Sequence, residues 1–187
     1  MRLVLMGLFA VLVAALDQIS KYFVVKYIEY GGLIPCIDGL FHLTYVQNFG
    51  AAFSILQGHK WLFVLVFALF VAMVVWGIRK KLLPFSRCEL WFLSAIMGGG
   101  LGNILDRLFR GYVVDMIAVD FINFPVFNVA DCFITCGAIG LLFHLIFLNR
   151  DFWKDDHNGQ RLHTTQNTPE TDEHPAVTPP SQDTDCN

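Results

Sequence analysis

From Trp61 to Ile78 no residue is charged, and that stretch alone is long enough to cross a bilayer as a helix. In lipid a backbone must satisfy its own amides, so an isolated apolar run of this length has the helix as its spanning form. Three further stretches have membrane length. One runs from about Leu3 to Val25, interrupted by Asp17, Gln18, Ser20 and Lys21; one from about Leu90 to Leu105 is rich in glycine; one runs from about Asp131 to Leu148. Composition agrees, with 55% hydrophobic residues and eighteen Phe in 187 residues. The chain therefore reads as an all-α membrane protein, a bundle of four transmembrane helices over residues 3–25, 61–78, 90–105 and 131–148. Arg2 followed by an apolar run and Val13-Ala14-Ala15 is also the pattern of a secretory signal peptide. Against that reading, apolar character resumes after Lys21 and no small-x-small site precedes Leu16.

Lys and Arg near the span ends orient such a bundle. One side collects Arg2, Arg79, Lys80, Lys81, Arg87, Arg150, Lys154 and Arg161; the other has Lys21, Lys26, Lys60, Arg107 and Arg110. The richer side is expected in the cytoplasm, with both termini. Two segments then face the periplasmic, outer side. In the first, about Lys26–Lys60, Phe41, Leu43 and Tyr45 alternate with His42, Thr44 and Val46, the period of a strand, between the turn signals Gly31-Gly32, Pro35 and Asp38-Gly39. A small periplasmic β-sheet on the membrane surface is expected there. The second, about Asp106–Ala130, carries Ile117, Phe121, Phe124 and Phe127 and reads as a semi-apolar loop dipped into the interface.

Residues 151–187 have the opposite character. They hold eight Asp and Glu against Lys154 and Arg161, so the net charge of −3 divides into −6 there and +3 in residues 1–150. With Pro169, Pro175, Pro179 and Pro180 among polar residues, this segment cannot bury enough apolar surface to fold alone. It is expected to be a disordered acidic cytoplasmic tail beyond a membrane domain of residues 1–150. No basic patch is long enough for nucleic acid. The five cysteines, Cys36, Cys88, Cys132, Cys136 and Cys186, are odd in number and scattered, which implies no disulfide framework. Cys132 and Cys136 are four apart, with no His close in sequence to complete a metal site, and read as small buried thiols on one helix face. Leu33-Ile34-Pro35-Cys36 imitates a lipobox, but lacks an apolar run immediately before it.

Polar residues gather at the outer ends of the spans. Asp17 and Lys21 are four apart and can pair on one helix face; equally, Lys21 could be an interfacial anchor. Gly98 and Gly102 form a small-xxx-small pair that lets helix backbones approach, and Asn103 and Arg107 follow one turn apart, with Asp106 and Arg110 near them. Asn128 with Asp131 has the form of an N-cap and a capping box, and an acid there suits the helix dipole. Asp115 and Asp131 each lie at the edge of an apolar stretch, where an ionisable group is a functional-site candidate. Asn48 adds a polar group among Phe49, Ala51, Ala52 and Phe53.

These residues fall into blocks: Asp17-Gln18-x-x-Lys21; Asn48-x-Gly50-x-Ala52-Phe53; Gly98-Gly99-x-x-Gly102-Asn103-x-x-Asp106-Arg107-x-x-x-Gly111-x-Val113-x-Asp115; and Phe127-Asn128-x-Ala130-Asp131. In this order and over residues from about 4 to 150, the chain closely resembles the lipoprotein signal peptidases, the signal peptidase II family of bacterial membrane aspartic peptidases. Met116 stands where the family usually has Phe, and Ser20 where Thr is frequent. The resemblance implies that Asp115 and Asp131 are the catalytic pair, supported by Asp17, Lys21, Asn48, Gly50, Asn103, Arg107, Asn128 and Ala130. It implies a peptidase of the bacterial cytoplasmic (inner) membrane, working at its periplasmic face, as a monomer and without cofactor or metal. The implied substrate is a prolipoprotein carrying a diacylglyceryl group on its lipobox cysteine, cleaved on the amino side of that cysteine. Two nearby carboxylates suit this task, because they cannot easily both ionise and so divide into an acid and a base. Other readings make different predictions. A four-span scaffold would tolerate Asp115→Asn. A small ion or proton relay would place its acids near the midplane rather than at one interface. A metalloprotease would need a His-Glu-x-x-His pattern, which the sequence lacks.

Overall fold

The computed structural model describes residues 2–50, 58–80 and 85–148, all within the compact unit Met1–Phe152. The acidic tail, and Ala52 and Phe53 of the second sequence block, lie outside the described residues. Helix α1 spans Arg2–Tyr27, α2 Lys60–Lys80, α3 Arg87–Phe109 and α4 Val129–Phe143, which continues as a π-helical segment His144–Leu148. These are four helices long and apolar enough to cross a membrane. They extend a few residues past the hydrophobic limits read from sequence, taking in Lys26, Lys60, Arg79, Lys80 and Arg87, whose aliphatic stems can cover apolar surface while their charges reach water.

The start of α3 is fixed by a capping box that the sequence reading did not identify. The Glu89 amide donates to Ser86 Oγ (3.3 Å) and the Ser86 amide donates to Glu89 Oε2 (2.7 Å). Glu89 is fully buried, and its Oε1 meets His144 Nδ1 at 2.9 Å, joining the start of α3 to the far end of α4. His144 is thus a bundle-facing histidine with a buried carboxylate partner.

Helix α3 is the centre of the bundle and packs on the other three helices. Its glycines make this possible. A Cβ added at Gly98 would lie 2.6 Å from the Ala10 carbonyl oxygen of α1, and one at Gly102 would lie 2.5 Å from Asp17 Oδ2. The small-xxx-small pair therefore faces α1, as its spacing suggested. Gly99 points the other way: a Cβ there would lie 2.5 Å from the Ala130 carbonyl oxygen of α4. Gly100 faces the Phe67 ring of α2. Gly99→Ala is expected to cost about 1–3 kcal/mol through overpacking against main chain that cannot rotate away. Gly7→Ala, where a Cβ meets nothing within 4 Å, should be neutral in the same thermal-unfolding measurement in detergent. Equal melting of the two variants would contradict the close approach of α3 and α4.

Three strands form one antiparallel sheet in the order β1 (Leu33–Ile37), β2 (Phe41–Asn48), β3 (Val113–Val119). The strand expected from Phe41 to Val46 is the middle of this sheet. Its strict alternation fails at one place: a register shift between Leu43 and Val46 leaves the adjacent Thr44 and Tyr45 both buried, as a bulge allows. The segment 106–130 corrects the reading of a second, separate loop. Its first part completes α3, and its middle is β3, which pairs Asp115 with Val46 and Val113 with Asn48. The Val113–Val119 run is nearly all apolar, and its Val113–Met116 portion is fully buried, so no alternation announced a strand. Gly111, at φ +85°, turns the chain from α3 into β3. Val114 and Met116 pack with Tyr45, Val24 and Ile28, seating the sheet on the end of α1. Met116, one of the two departures from the family pattern, fills this small core with an adaptable side chain.

Candidate active site

The sheet and the last turns of α1 and α3 bring the outer polar residues together. Asp115 projects from β3 and is 3% exposed. Its Oδ2 accepts from Asn48 Nδ2 (2.9 Å) on β2, and its Oδ1 accepts from Asn128 Nδ2 (2.7 Å). Asp131 stands in the first turn of α4. Its Oδ1 accepts from Asn103 Nδ2 (2.8 Å) and its Oδ2 from the Asn128 amide (3.2 Å). The Asn128 carboxamide oxygen accepts from the Asp131 amide at 3.0 Å. The capping box expected from sequence is therefore present, and it also binds the two carboxylates to one another through Asn128.

The strand geometry explains why Asn128 arrives there. Phe127 forms a bridge with Ile117 at the edge of the sheet: the Phe127 amide donates to the Ile117 carbonyl (3.0 Å), and the Met116 and Ile117 amides donate to the Phe127 carbonyl (2.9 and 2.8 Å). That bridge sets the chain just before α4 beside Asp115.

Beneath the pair lies a charged hub with no solvent contact. Lys21, fully buried, directs its ammonium at Asp17 Oδ2 (2.7 Å), Asp106 Oδ2 (2.9 Å) and Asn103 Oδ1 (2.9 Å). Three donors meet three acceptors. Asp17 Oδ1 accepts from the Ala130 amide (2.9 Å), so α1 holds the start of α4. Asp106 Oδ2 accepts from the Val114 amide (3.1 Å), so α3 holds the residue before Asp115. The other Asp106 oxygen is taken by Arg110 and by Gln18 Nε2 (3.1 Å). Every buried side-chain polar atom among the described residues has a partner.

Arg107 forms the rim. Its Nη1 donates to the Asn103 carbonyl (3.2 Å) and its Nη2 to the Gly50 carbonyl (2.8 Å), while its guanidinium lies 4.3 Å from the centre of the Phe63 ring on α2. The Gly50 amide in turn donates to Asn48 Oδ1 at 2.9 Å, which orients the amide serving Asp115.

All the residues proposed from sequence, Asp17, Lys21, Asn48, Gly50, Asn103, Arg107, Asp115, Asn128, Ala130 and Asp131, thus belong to one hydrogen-bonded network. The sequence reading gave no role to Gln18, Asp106 or Arg110. The signal was available: Asp106 is four residues before Arg110 and three after Asn103, so one α3 face carries all three.

A groove of about 560 Å³ opens over the pair, lined by Asn48, Arg107, Phe124, Phe127, Thr135 and both carboxylates among others. Cys132 and Cys136 also line it, the first half-buried and the second exposed, which corrects the expectation of buried thiols. Burial pushes Asp115 up from 3.8 to about 6; the Asn48 hydrogen bond opposes this, and the charge of Asp131 adds to it. Among the described residues no group of three or more His, Cys, Asp or Glu is placed to hold a metal ion.

The sequence profile described as "Signal peptidase (SPase) II" matches residues 9–147. A lipoprotein signal peptidase of Streptococcus agalactiae serotype Ia is 45% identical over 159 residues, covering 85% of this chain and 98% of its own. One from Streptococcus pyogenes serotype M1 is 41% identical over 152 residues, covering 80% and 93%. Two solved bacterial membrane enzymes superpose on the fold. One has a TM-score of 0.68 at 30% identity, over 76% of this chain and 92% of its own; the other has 0.66 at 27%, over 89% and 93%. With four membrane-length helices and this match over most of its length, the chain belongs to the signal peptidase II family, multi-pass membrane peptidases that remove signal peptides from prolipoproteins.

Proposed function

We propose that Asp115 and Asp131 are the catalytic pair of this peptidase and that they activate water to cleave a diacylglyceryl-modified prolipoprotein on the amino side of its lipidated cysteine. The observation that carries this is the joint hold of Asn128 on both carboxylates at the floor of an apolar groove. Asp115, the buried member, holds the shared proton. Asp131, in the first turn of α4, is the base. Asp131 takes a proton from a water whose oxygen attacks the scissile carbonyl carbon, and Asp115 gives its proton to the carbonyl oxygen. The proton on Asp131 then passes to the cysteine nitrogen as the C–N bond breaks, and Asp115 recovers its own from the diol. The signal peptide leaves as a carboxylic acid, which ionises by giving its proton to the freed cysteine amine or to solvent, and the mature chain begins at the cysteine.

The site works at the outer face of the cytoplasmic membrane. Arg79, Lys80 and Arg87 lie at the opposite ends of their helices from the network, as the positive-inside rule requires, with both termini cytoplasmic. The protein acts as a monomer, since one chain supplies both acids and the groove. The test is cleavage of a diacylglyceryl-modified prolipoprotein in detergent, with and without a chelator, by the wild type, Asp115→Asn and Asp131→Asn. Wild-type turnover by either variant would remove that residue from the pair.

Two further outcomes follow from the geometry. The folded state holds the Asp115 proton more tightly than the unfolded chain, so the associated stabilisation is full below 3.8 and is lost as pH rises through about 6. For the same reason kcat/KM should fall on an alkaline limb near 6 in the free enzyme. The limb in kcat should lie higher, because substrate in the groove buries Asp115 further. Asn48→Ala removes a hydrogen bond that favours the charged form, so it should move both limbs upward; a limb unmoved by Asn48→Ala would exclude Asp115 as its source. Arg107→Ala should lower turnover by unpinning Gly50 and Asn48, and Arg107→Lys should not restore it, since an ammonium lacks the fork that spans two carbonyls. Steady-state rates of the two variants against wild type decide this.

A further inference from the structure

Two thiols lie in the groove, and the reaction proposed above uses neither. Cys132 directly follows Asp131 on α4, and Cys136 is one turn further along the same face. Both are free, Cys132 half-buried and Cys136 exposed, and Thr135 beside them also lines the groove. The remaining cysteines of the described residues are elsewhere: Cys36 in β1 and Cys88 at the start of α3.

Their spacing decides what they can bind. Side chains four apart on a helix have Cβ atoms about 5–6 Å apart. A disulfide needs about 3.5–4.5 Å. The pair cannot oxidise to a disulfide without unwinding α4 next to Asp131. One soft atom between the two sulfurs, however, spans the excess and leaves the helix intact. A trivalent arsenic that already carries one aryl group needs two sulfur ligands and no third protein donor, so it does not matter that no larger ligand cluster occurs among the described residues.

We propose that Cys132 and Cys136 form a dithiol site for monosubstituted trivalent arsenicals, and that its occupation closes the substrate groove beside the aspartate pair. The step is a condensation without change of oxidation state. An aryl arsenoxide forms two As–S bonds; the two thiol protons leave with the arsenic-bound oxygen as one water. The aryl group then stands in the space that the substrate chain needs. The site itself is read from cysteine geometry; only the block on cleavage rests on the groove being the substrate path.

The experiment uses the full chain in detergent with phenylarsine oxide as probe, and reads both intact mass and prolipoprotein cleavage. The expected mass gain is one phenylarsenic per chain, with water lost. It should persist in Cys36→Ser and Cys88→Ser and disappear in Cys132→Ser and in Cys136→Ser. At about ten times its own Kd the probe leaves roughly a tenth of sites open, so wild-type cleavage should fall about tenfold. A dithiol should restore it and a monothiol should not. Each serine variant, measured against its own untreated rate, should be insensitive. An adduct that survives in either single serine variant, or forms at Cys36 or Cys88 instead, overturns the site. An adduct at the pair with cleavage unchanged overturns the closure of the groove. Absence of cleavage by untreated wild type would instead strike at the peptidase reading, while the mass measurement would still judge the dithiol site.

Discussion

Asp115→Asn and Asp131→Asn should each lower kcat by at least about 10²–10⁴-fold, the usual contribution of one positioned acid or base. The loss should lie in kcat rather than in substrate affinity, because the apolar groove is left in place. Neither replacement is structurally silent. At Asp115 both oxygens accept from carboxamides, Asn48 Nδ2 and Asn128 Nδ2. A carboxamide at position 115 sets an NH₂ against one of those donors. The neighbour cannot simply flip, since Asn48 Oδ1 already serves the Gly50 amide and Asn128 Oδ1 the Asp131 amide. A cost of about 1–3 kcal/mol is therefore expected beside the kinetic loss. Thermal unfolding separates the two: a folded variant with lost kcat supports the pair, and a folded variant with wild-type kcat removes it.

Lys21→Met should be the most destabilising single change in the outer half of the bundle, by about 3–5 kcal/mol. Methionine fills much of the same volume, so packing survives and the charge is what is lost. Asp17 and Asp106 are then left buried without the ammonium between them. Asp106 keeps Arg110 and Gln18, but Asp17 keeps chiefly the Ala130 amide. For a chain of this size the expected drop in Tm is roughly 6–20 °C. Adding Asp17→Asn to Lys21→Met should recover part of the loss, because the second change removes the stranded charge. A double-mutant cycle by thermal unfolding measures this, and strictly additive losses would show that the two do not interact.

The four spans were legible because bilayer thickness imposes a length that a sequence must display. The strand from Phe41 was legible by alternation up to the bulge, where Thr44 and Tyr45 turn inward together. Strand β1 was hidden by Pro35 and its flanking turn residues; all its side chains are exposed, so it has no inward face to show. Strand β3 was hidden by the opposite condition, a buried apolar run that looks the same as an interfacial loop. At the site, two readings of Asn128 and Asp131 stood open, a helix cap and part of a functional pair. The geometry makes the cap fact, through Asn128 Oδ1 and Asp131 Oδ2, and turns the remaining Asn128 Nδ2 onto Asp115. Asp106 escaped notice as a hub because its partners come from α1, α3 and β3, and no local pattern reports a meeting of three elements.

The double use of Asn128 bears on how an inhibitor of this protein could be evaded. A bacterium escapes a drug by altering the contact residue while keeping the enzyme. A compound that places a hydroxyl between the two carboxylates would touch groups that the buried Asn128 holds in place. Replacing Asn128 frees the Asp131 amide, strips a donor from Asp115 and loosens Asn103, all in one step. Escape is left to the groove walls at Val126, Thr135 and the cysteines, which line the groove and take no part in the network that holds the carboxylates. Compounds that draw their affinity from the floor rather than the walls leave the fewest such routes open.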